Sequence, residues 1–308
     1  MVLVFGSINI DFVTRVERFP GPGETVSGIS FASYPGGKGA NQALACTLAG
    51  ARTRLVGAVG RDAFADPALS LLGKAGVDLT SVTRVDQATG CATILVAGSG
   101  ENMIVSVPGA NAAADPDSIP DALLSASSTV SLQHELPAAA NQALLERARR
   151  NGSRVVLNAS PWRPLSLDTL CTVDYLVVNE REAAALAATF DWPRSTRELA
   201  LAAAAAVHDL TIVVTLGKQG ALAARGSELL RVQAPDVSVI DTTGAGDAFA
   251  GTLIAALDSY ARLDEALRRA VAAGSLACTV AGAQPSFPDR KAVDVVLERI
   301  ALLTARCS

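Results

Sequence analysis

Short apolar runs rich in β-branched residues alternate along this chain with longer stretches of helical spacing. Six of the runs predict strands, at residues 2–5, 54–59, 130–132, 154–158, 175–178 and 211–215. Four stretches between them predict helices, at residues 39–50, 66–75, 137–150 and 196–207, and Asp66 with Pro67 is expected to cap the second helix. Strands that are apolar along their whole length are buried on both faces. The sequence therefore predicts an α/β fold, a three-layer, doubly wound and mostly parallel sheet.

Two segments interrupt this alternation. Residues 11–34 carry scattered apolar side chains around a Pro-Gly-Pro-Gly stretch, and residues 91–107 have the pattern of two strands joined by a turn at 98–102. Both fit a small β-sheet outside the main one, which would cover the carboxyl ends of the parallel strands as a lid. Ordinary surface hairpins are the alternative. Because no linker or repeat divides the chain, we expect residues 1–308 to form one domain that includes these two lid segments.

The composition excludes several classes of function. The net charge is −4, and no run of Lys or Arg is long enough to follow a phosphate backbone, so we expect no nucleic-acid partner. No apolar stretch reaches the ~20 residues of a membrane span, and the first residues enter a predicted strand without a leader, so we expect a cytoplasmic protein that binds no membrane. The five cysteines and two histidines lack the spacing of disulfides or zinc ligands.

A glycine-rich segment near the C-terminal end, residues 241–251, indicates chemistry on an anion. Gly244 and Gly246 flank Ala245 just before an apolar helical run. Consecutive backbone N–H groups in such a turn converge on an anion at the helix N-terminus. Asp247 follows within the same site, where a carboxylate is suited to take a proton from an attacking hydroxyl. The alternative is a glycine turn whose Asp only interacts favourably with the helix dipole.

A second glycine-rich segment, residues 35–42, reads Pro-Gly-Gly-Lys-Gly-Ala-Asn-Gln and precedes an apolar helical face. Its glycines let a small ligand approach the backbone, and Lys38 and Asn41 supply donors and an acceptor suited to sugar hydroxyls. The segment is not a Walker A loop, which requires Gly-Lys followed by Ser or Thr. No Gly-x-Gly-x-x-Gly follows the first strand, which disfavours a dinucleotide-dependent oxidoreductase.

Polar residues also stand where other predicted strands end. Asn9 and Asp11 are two residues apart, so in an extended chain they share a face suited to a diol; an Asx turn is the alternative. Asn179 and Glu182 follow another strand and would lie near Mg²⁺, often through water, or would form a helix N-cap with its first-turn acid. Residues 215–220 are a strand end followed by a glycine turn, fit to run along a nucleotide phosphate.

The order of these segments in one α/β chain resembles the ribokinase-like carbohydrate kinases, the PfkB family, over essentially the whole length. Residues 36–42 and 241–251 are similar to the two signature motifs of that family, and both motifs are specific. Within the family, Gly-Gly-Lys-Gly-Ala-Asn-Gln is most similar to the segment of members that phosphorylate ribose. The resemblance implies a small-sheet lid over an active site that uses ATP and a pentose.

The resemblance also implies roles for single residues. Asp247 would be the catalytic base, and the amides of Gly244, Ala245 and Gly246 would form the anion hole. The positions that match pentose-binding ones are Asn9, Asp11, Gly37, Lys38, Gly39, Asn41, Glu135 and Asp247. The positions that match nucleotide-binding ones are Asn179, Thr215, Leu216, Gly217, Lys218, Gly220, Gly246 and Val271.

Two cations follow from the same resemblance. Mg²⁺ would be bound through Asn179 and Glu182, mostly by way of water. A monovalent cation, K⁺ by family analogy, would be enclosed by Asp241, Thr243, Ala277, Val280, Gly282 and Ser286. Two residues depart from the family pattern: His134 precedes Glu135 where an apolar residue is expected, and Val271 stands where a polar side chain near adenine is common. We expect the first to alter the floor of the sugar pocket.

The implied reaction is transfer of the γ-phosphate of ATP to the 5-hydroxyl of D-ribose. Asn9 and Asp11 favour a substrate with adjacent hydroxyls, because a site built to bond a hydroxyl leaves polar groups unpaired where that hydroxyl is missing. The same reaction on deoxyribose, another pentose or a nucleoside is the alternative. A sugar-binding sensor without catalysis is disfavoured by the intact anion segment. Exposed strand edges in the lid predict a homodimer.

Overall fold

The computed structural model describes residues 1–298, 300 and 302–306. Its strands are β1 Val2–Phe5, β2 Asn9–Val16, β3 Gly28–Gly36, β4 Thr53–Gly60, β5 Asp78–Val85, β6 Gly90–Ala97, β7 Asn102–Val107, β8 Thr129–Gln133, β9 Arg154–Asn158, β10 Tyr175–Asn179, β11 Thr211–Thr215, β12 Ala221–Arg225, β13 Glu228–Val232 and β14 Leu302–Arg306. Its helices are α1 Lys38–Leu48, α2 Ala65–Ala75, α3 Ala138–Arg150, α4 Leu167–Leu170, α5 Glu180–Phe190, α6 Thr196–Ala206, α7 Ala245–Asp258, α8 Leu263–Ala277 and α9 Arg290–Leu297.

Ten of these strands form one sheet in the order β14-β13-β12-β11-β10-β9-β8-β1-β4-β5. Pairing is parallel from β11 to β5, and the remaining three strands are antiparallel. All six predicted strands and all four predicted helices are present within one or two residues of their expected ends. The α/β, mostly parallel sheet is therefore confirmed. The strand order reverses direction at β1, so a ligand crevice is expected at the carboxyl ends of β1 and β8.

Alternation along β1 explains the three layers. Val2 and Val4 point into one apolar core, which includes residues of α1, α2, α7 and α8. Leu3 and Phe5 point into a second core on the other face, formed with α3, α5 and α6. Because successive side chains of a strand lie on opposite faces, a strand that is apolar throughout supplies both cores at once.

A second, four-stranded sheet has the order β3-β2-β6-β7. It is built from the two segments that interrupt the sequence pattern, and the β6-β7 pair is the expected hairpin. Strands β2 and β6 are paired in parallel from Asn9 and Gly90 onward. β2 begins shortly after β1 ends, so the small sheet extends from the edge of the main sheet at which β1 ends.

The predicted cap of α2 is wrong. The helix begins at Ala65, so Asp66 lies inside the first turn rather than at the cap. The capping oxygen comes from Asp62, whose Oδ1 accepts hydrogen bonds from the backbone N–H groups of Phe64 and Ala65 at 3.1 and 3.2 Å. An aspartate three residues before the first helical residue satisfies the same free N–H groups.

Four strands of the main sheet have no counterpart among the predicted ones. β5 is half-exposed and contains five polar residues, so the alternation of apolar and polar side chains that marks a strand is not visible in its sequence. β12 is rich in alanine, a residue typical of helices, but it pairs with β13 across a two-residue turn at Gly226 and Ser227.

In the described part of the chain, no helix combines the length and apolar character needed to cross a membrane.

Candidate active site

The anion segment forms a tight turn at the start of α7. Gly244 is the N-cap residue, with φ 77° and ψ −4°, a left-handed conformation that glycine adopts at little cost. The N–H groups of Asp247 and Ala248 both donate to the Gly244 carbonyl at 2.9 Å. Gly246 is exposed, and a Cβ built on it would meet no atom within 4 Å outside its own helix. The helix N-terminus is therefore open on the Gly246 side, as an anion site requires.

Asp247 is buried in the first turn of α7 and is held by the other glycine-rich segment. Its Oδ2 accepts a hydrogen bond from Asn41 Nδ2 at 2.9 Å, and its Oδ1 accepts one from Gln42 Nε2 at 3.2 Å. Lys38 Nζ lies 3.7 Å from Oδ1. The two segments meet because α1 packs closely on α7, where a Cβ on Gly251 would lie 2.5 Å from Ala45 Cβ.

Lys38 lies among several carboxylates. Burial lowers its pKa, but Asp247, Glu135 and Glu182 raise it, and the net pKa is above the usual value for lysine. The ammonium group is therefore fully charged at neutral pH. A fixed positive charge beside Asp247 is suited to the negative charge that develops on a phosphoryl group in transfer.

The carboxyl ends of β1 and β8 supply a polar pocket. Glu135 follows β8, and its Oε2 accepts hydrogen bonds from Ser7 Oγ at 2.5 Å and from the Lys38 N–H at 3.0 Å. Burial, together with the neighbouring Glu135 and Asp247 carboxylates, raises the pKa of Asp11 to about 7. A Cβ on Gly36 would lie 2.2 Å from Asp11 Oδ2, so any larger residue at this position would displace the carboxylate.

Asn9 completes this pocket together with a residue that the motifs do not reveal. Asn111 Nδ2 donates to Asn9 Oδ1 at 2.7 Å, and Asn111 Oδ1 accepts from the Ile8 N–H at 2.8 Å. Asn111 comes from a 3₁₀ turn after β7, about a hundred residues away along the chain. No local pattern marks this residue, because its contact depends on how the small sheet connects to the main one.

The predicted pentose-binding residues fall into two groups. Asn9, Asp11, Lys38, Asn41, Glu135 and Asp247 present polar side-chain atoms around this pocket. Gly39 packs against Gly6 instead, since a Cβ on it would lie 2.3 Å from the Gly6 carbonyl carbon. Gly37 has φ 88° and marks the turn into α1.

The side chain of His134 makes its hydrogen bond outside the predicted sugar-binding residues. Its Nδ1 lies 3.2 Å from the Pro161 carbonyl oxygen, and burial lowers its pKa to about 4, so the ring is neutral and donates to that carbonyl. The hydrogen bond ties His134 to the chain after β9. The expectation that this residue alters the floor of the sugar pocket finds no support in this contact.

Asn179 and Glu182 form a capping box at the start of α5. Asn179 Oδ1 accepts from the Glu182 N–H at 2.9 Å, and Glu182 Oε2 accepts from the Asn179 N–H at 2.8 Å. The helix-cap interpretation is thus confirmed. It does not remove the metal-site hypothesis, because Glu182 is close enough to raise the pKa of Lys38 and has a second carboxylate oxygen.

The predicted nucleotide-binding positions are only partly exposed. Gly217 and Lys218 lie exposed in a 3₁₀ turn after β11, next to the half-buried Thr215. Gly220 is a packing position, since a Cβ there would lie 2.0 Å from the Val232 carbonyl oxygen. Leu216 is buried, and Val271 lies in the apolar core with only 3% of its surface exposed, so its side chain is covered by protein.

The segments assigned to a monovalent cation are in contact. Asp241 Oδ2 accepts from the Gly282 N–H at 2.8 Å, while Oδ1 accepts from the Thr243 N–H and hydroxyl at 2.9 and 2.7 Å. Burial raises the pKa of Asp241, but these hydrogen bonds outweigh it and hold the pKa below its usual value. Ala277 ends α8, Val280 is exposed, and Ser286 Oγ donates to the Ala283 carbonyl.

Taken together, the sheet edge carries an open helix N-terminus for an anion, a buried carboxylate beside it, and a polar pocket fit for a small polyhydroxyl compound. That combination defines a phosphotransferase with an alcohol acceptor. The profile of the pfkB family carbohydrate kinases matches residues 1–290. The chain belongs to this family, and it is an ATP-dependent sugar kinase.

Several individual proteins are similar over nearly the whole chain. A ribokinase of Lactococcus lactis is 36% identical over 302 residues, which cover 97% of both chains. A ribokinase of Haemophilus influenzae is 35% identical, over 94% of this chain and 95% of its own. The structure of Arabidopsis thaliana ribokinase complexed with ribose and ATP has a TM-score of 0.87 and 33% identity, covering 96% of this chain and 98% of its own.

Proposed function

We propose that this protein transfers the γ-phosphoryl group of ATP to the 5-hydroxyl of D-ribose, giving D-ribose 5-phosphate and ADP. The observation that carries the proposal is the Asp247 carboxylate, buried at the open N-terminus of α7 and contacted by Asn41 and Lys38 of the other glycine-rich segment. Its relatives named ribokinase, one of them seen with ribose and ATP, support ribose as the acceptor.

In the proposed mechanism, Asp247 accepts the proton of the attacking hydroxyl. Oδ1 accepts a hydrogen bond from Gln42 and also faces the Lys38 ammonium at 3.7 Å, whereas Oδ2 accepts only from Asn41. The lysine charge disfavours a proton on Oδ1, so we assign the proton to Oδ2. The amides of Gly244 and Gly246 would donate to the transferring group, joined by that of Ala245 once it releases the Thr242 carbonyl, to which it donates at 3.2 Å in this structure; Lys38 would neutralise charge that develops beside them.

Two metal ions belong to the proposal. Mg²⁺ would be held near Glu182 and Asn179, mainly by nucleotide phosphates and water, and it would neutralise charge on the phosphates. This fits the fact that the described residues contain no group of three or more His, Cys, Asp or Glu placed to hold a metal alone. K⁺ would lie at the loop tied to Asp241, where the predicted ligands offer only oxygen atoms.

Omitting K⁺ from the assay should reduce the rate of ADP formation.

The acceptor is tested by following ADP formation with ATP, Mg²⁺ and K⁺ against ribose, deoxyribose, other pentoses, hexoses and nucleosides. We expect kcat/KM for ribose to exceed that for deoxyribose by about tenfold or more, because Asn9 and Asp11 would lose a hydroxyl partner. Deoxyribose is the sharpest competitor, since a deoxyribokinase of Salmonella typhi is 32% identical to this chain. Turnover of another acceptor with ribose inert would reject the assignment.

Ribose affinity is expected to depend on the protonation of Asp11. The pKa of Asp11 in the free protein is about 7, and sugar hydroxyls that donate to a carboxylate favour its ionised form. Sugar binding therefore lowers this pKa and releases a proton. The dissociation constant for ribose should be constant well above pH 7 and increase up to about tenfold per pH unit below it, until the pKa of the complex is reached.

Titration calorimetry with ribose from about pH 5.5 to about pH 8.5 measures this dependence. The matched control is Asp11→Asn, which keeps the size of the side chain and removes the ionisation. It should bind ribose more weakly, with an affinity that no longer changes with pH. A wild-type dissociation constant that stays flat across the range would contradict the role given to Asp11.

The small sheet is proposed to act as a lid and as a dimer contact. Its outer strands β3 and β7 carry exposed apolar side chains, namely Ile29, Phe31, Met103, Ile104 and Val105. Exposed strand edges with apolar surface favour a partner, here a second copy of the chain. Light scattering should therefore give the mass of a dimer, and Ile104→Asp should shift it towards the monomer.

We place the enzyme in the cytoplasm, where ATP is supplied.

A further inference from the structure

Asp247 rests on a group of buried polar side chains that lie behind it, on the protein side. Gln42, Ser131 and Gln133 are fully buried, and Asn158 is nearly so. Gln42 is on α1, whereas the other three come from β8 and β9 at the centre of the sheet. Buried polar groups in an otherwise apolar core are costly unless each is hydrogen-bonded, so the arrangement of these four constrains the carboxylate in front of them.

Gln42 is the centre of this group. Its Nε2 donates to Asp247 Oδ1 at 3.2 Å and to Asn158 Oδ1 at 3.0 Å. Its Oε1 accepts from Gln133 Nε2 at 2.9 Å and from Ser131 Oγ at 3.2 Å. All four hydrogen-bonding positions of the amide are thus occupied.

Two independent anchors fix the orientation of this amide. The Val177 carbonyl can only accept, so Asn158 turns Nδ2 towards it at 3.1 Å and presents Oδ1 to Gln42. The Asp247 carboxylate can also only accept, when ionised. Asn158 Oδ1 and Asp247 Oδ1 therefore both need a donor, so the NH₂ group of Gln42 faces these two atoms and its Oε1 faces the opposite way. Gln133 satisfies Gln42 while its own Oε1 stays without a hydrogen-bond partner in the described structure.

We propose that Gln42 is the positioning residue of the catalytic base. It holds Asp247 Oδ1 in place through a hydrogen bond that only the ionised carboxylate can accept at full strength, and it leaves Oδ2 directed to the sugar hydroxyl. This inference rests on the proposed role of Asp247 as base. Gln42 itself does not contact substrate, because it is fully buried behind the carboxylate.

The central test is Gln42→Glu, which keeps the shape and the acceptor for Ser131 and Gln133 but replaces the NH₂ group by an oxygen. That oxygen would lie about 3 Å from Asp247 Oδ1, so the two carboxyl groups would share a proton and titrate as a pair. We expect kcat at pH 7 to decrease by about tenfold or more, with a ribose KM within about threefold of wild type. The pH profile of kcat should gain an ionisation that wild type lacks.

The matched control is Asn141→Asp, the same amide-to-acid change at a buried position that has no hydrogen bond to Asp247. It should keep the wild-type shape of the pH profile even if it melts earlier. A purely structural role for Gln42 predicts an equal loss at every pH, and that outcome, or a wild-type kcat and profile, would overturn the inference.

A second variant keeps the test decisive if Gln42→Glu does not fold. Ser131→Ala removes one of the two donors to Gln42 Oε1, together with the hydrogen bond that Ser131 Oγ accepts from Gln133 Nε2 at 3.1 Å. We expect a two- to fivefold lower kcat at an unchanged ribose KM, of the order that one neutral hydrogen bond supports; a wild-type kcat would overturn the inference. If Asp247→Asn is inactive while the Gln42 variant keeps the wild-type kcat and pH profile, only this inference is rejected. If Asp247→Asn is active, the proposed mechanism is rejected as well.

Discussion

Replacing Asp247 with Asn is expected to lower kcat by a factor of about 10³ or more while leaving ribose binding within about fivefold of wild type. The amide has nearly the same size as the carboxylate but cannot accept a proton. It also turns an N–H group towards Asn41 or Gln42, both of which now donate to this position. The loss should therefore fall on the chemical step. Steady-state rates of ADP formation and calorimetric titration with ribose measure the two quantities separately.

Asp258→Asn is the control on the same helix. This carboxylate ends α7 and pairs with the N-terminal amino group at 3.0 Å, away from the anion turn. Its removal should lower the melting temperature slightly and leave kcat unchanged. If Asp247→Asn retained more than a few per cent of the wild-type rate, the base would have to be a different group, and Asp11 and Glu135 would be the next carboxylates to examine.

Gly246→Ala is expected to impair catalysis strongly without destabilising the protein. A Cβ on Gly246 meets no atom within 4 Å outside its own helix, and alanine is at least as favourable as glycine in the first turn of a helix. The added methyl group instead occupies the space in front of the helix N-terminus, where we place the transferring phosphoryl group. We expect kcat/KM for ATP to fall by about 10²-fold, the cost of a displaced anion-hole donor, at an equal or higher melting temperature.

Gly251→Ala provides the opposite case within α7. Its Cβ would lie 2.5 Å from Ala45 Cβ and 2.7 Å from the Gln42 carbonyl oxygen, so α1 and α7 would have to separate. This variant should melt well below wild type. A Gly246→Ala enzyme that folded and turned over at the wild-type rate would show that the phosphoryl group does not approach this turn.

The main sheet was predictable because its strands carry their own signal. Residues 155–157 and 212–214 are consecutive apolar residues, and all but one residue of each of these two strands is buried in the structure. β5 and β12 were missed for opposite reasons: one is polar and half-exposed, and the other consists largely of alanine. Their strand conformation follows from the neighbour with which they pair, which no local pattern contains.

The site was predictable where its residues lie inside a motif, as Lys38, Asn41 and Asp247 do. Asn111 and Gln133 were not, because each acts only through a contact with a distant segment. Gln42 is an intermediate case: it adjoins Asn41 in the motif, yet only the packing of α1 against β8 shows what it holds. The sequence also could not choose between a helix cap and a metal ligand for Asn179, because the same atoms suit both.

The hydrogen bond from Asn41 to Asp247 joins residues 206 positions apart. During synthesis the sugar-binding segment is complete long before the base exists, so no partial chain that lacks α7 has a catalytic centre. Pairs so distant in sequence also form late, because closing a long loop costs entropy before the contact stabilises anything. Enzyme activity in this protein thus reports on folding of nearly the whole chain, and recovered turnover after dilution from denaturant marks the final assembly of α1 on α7.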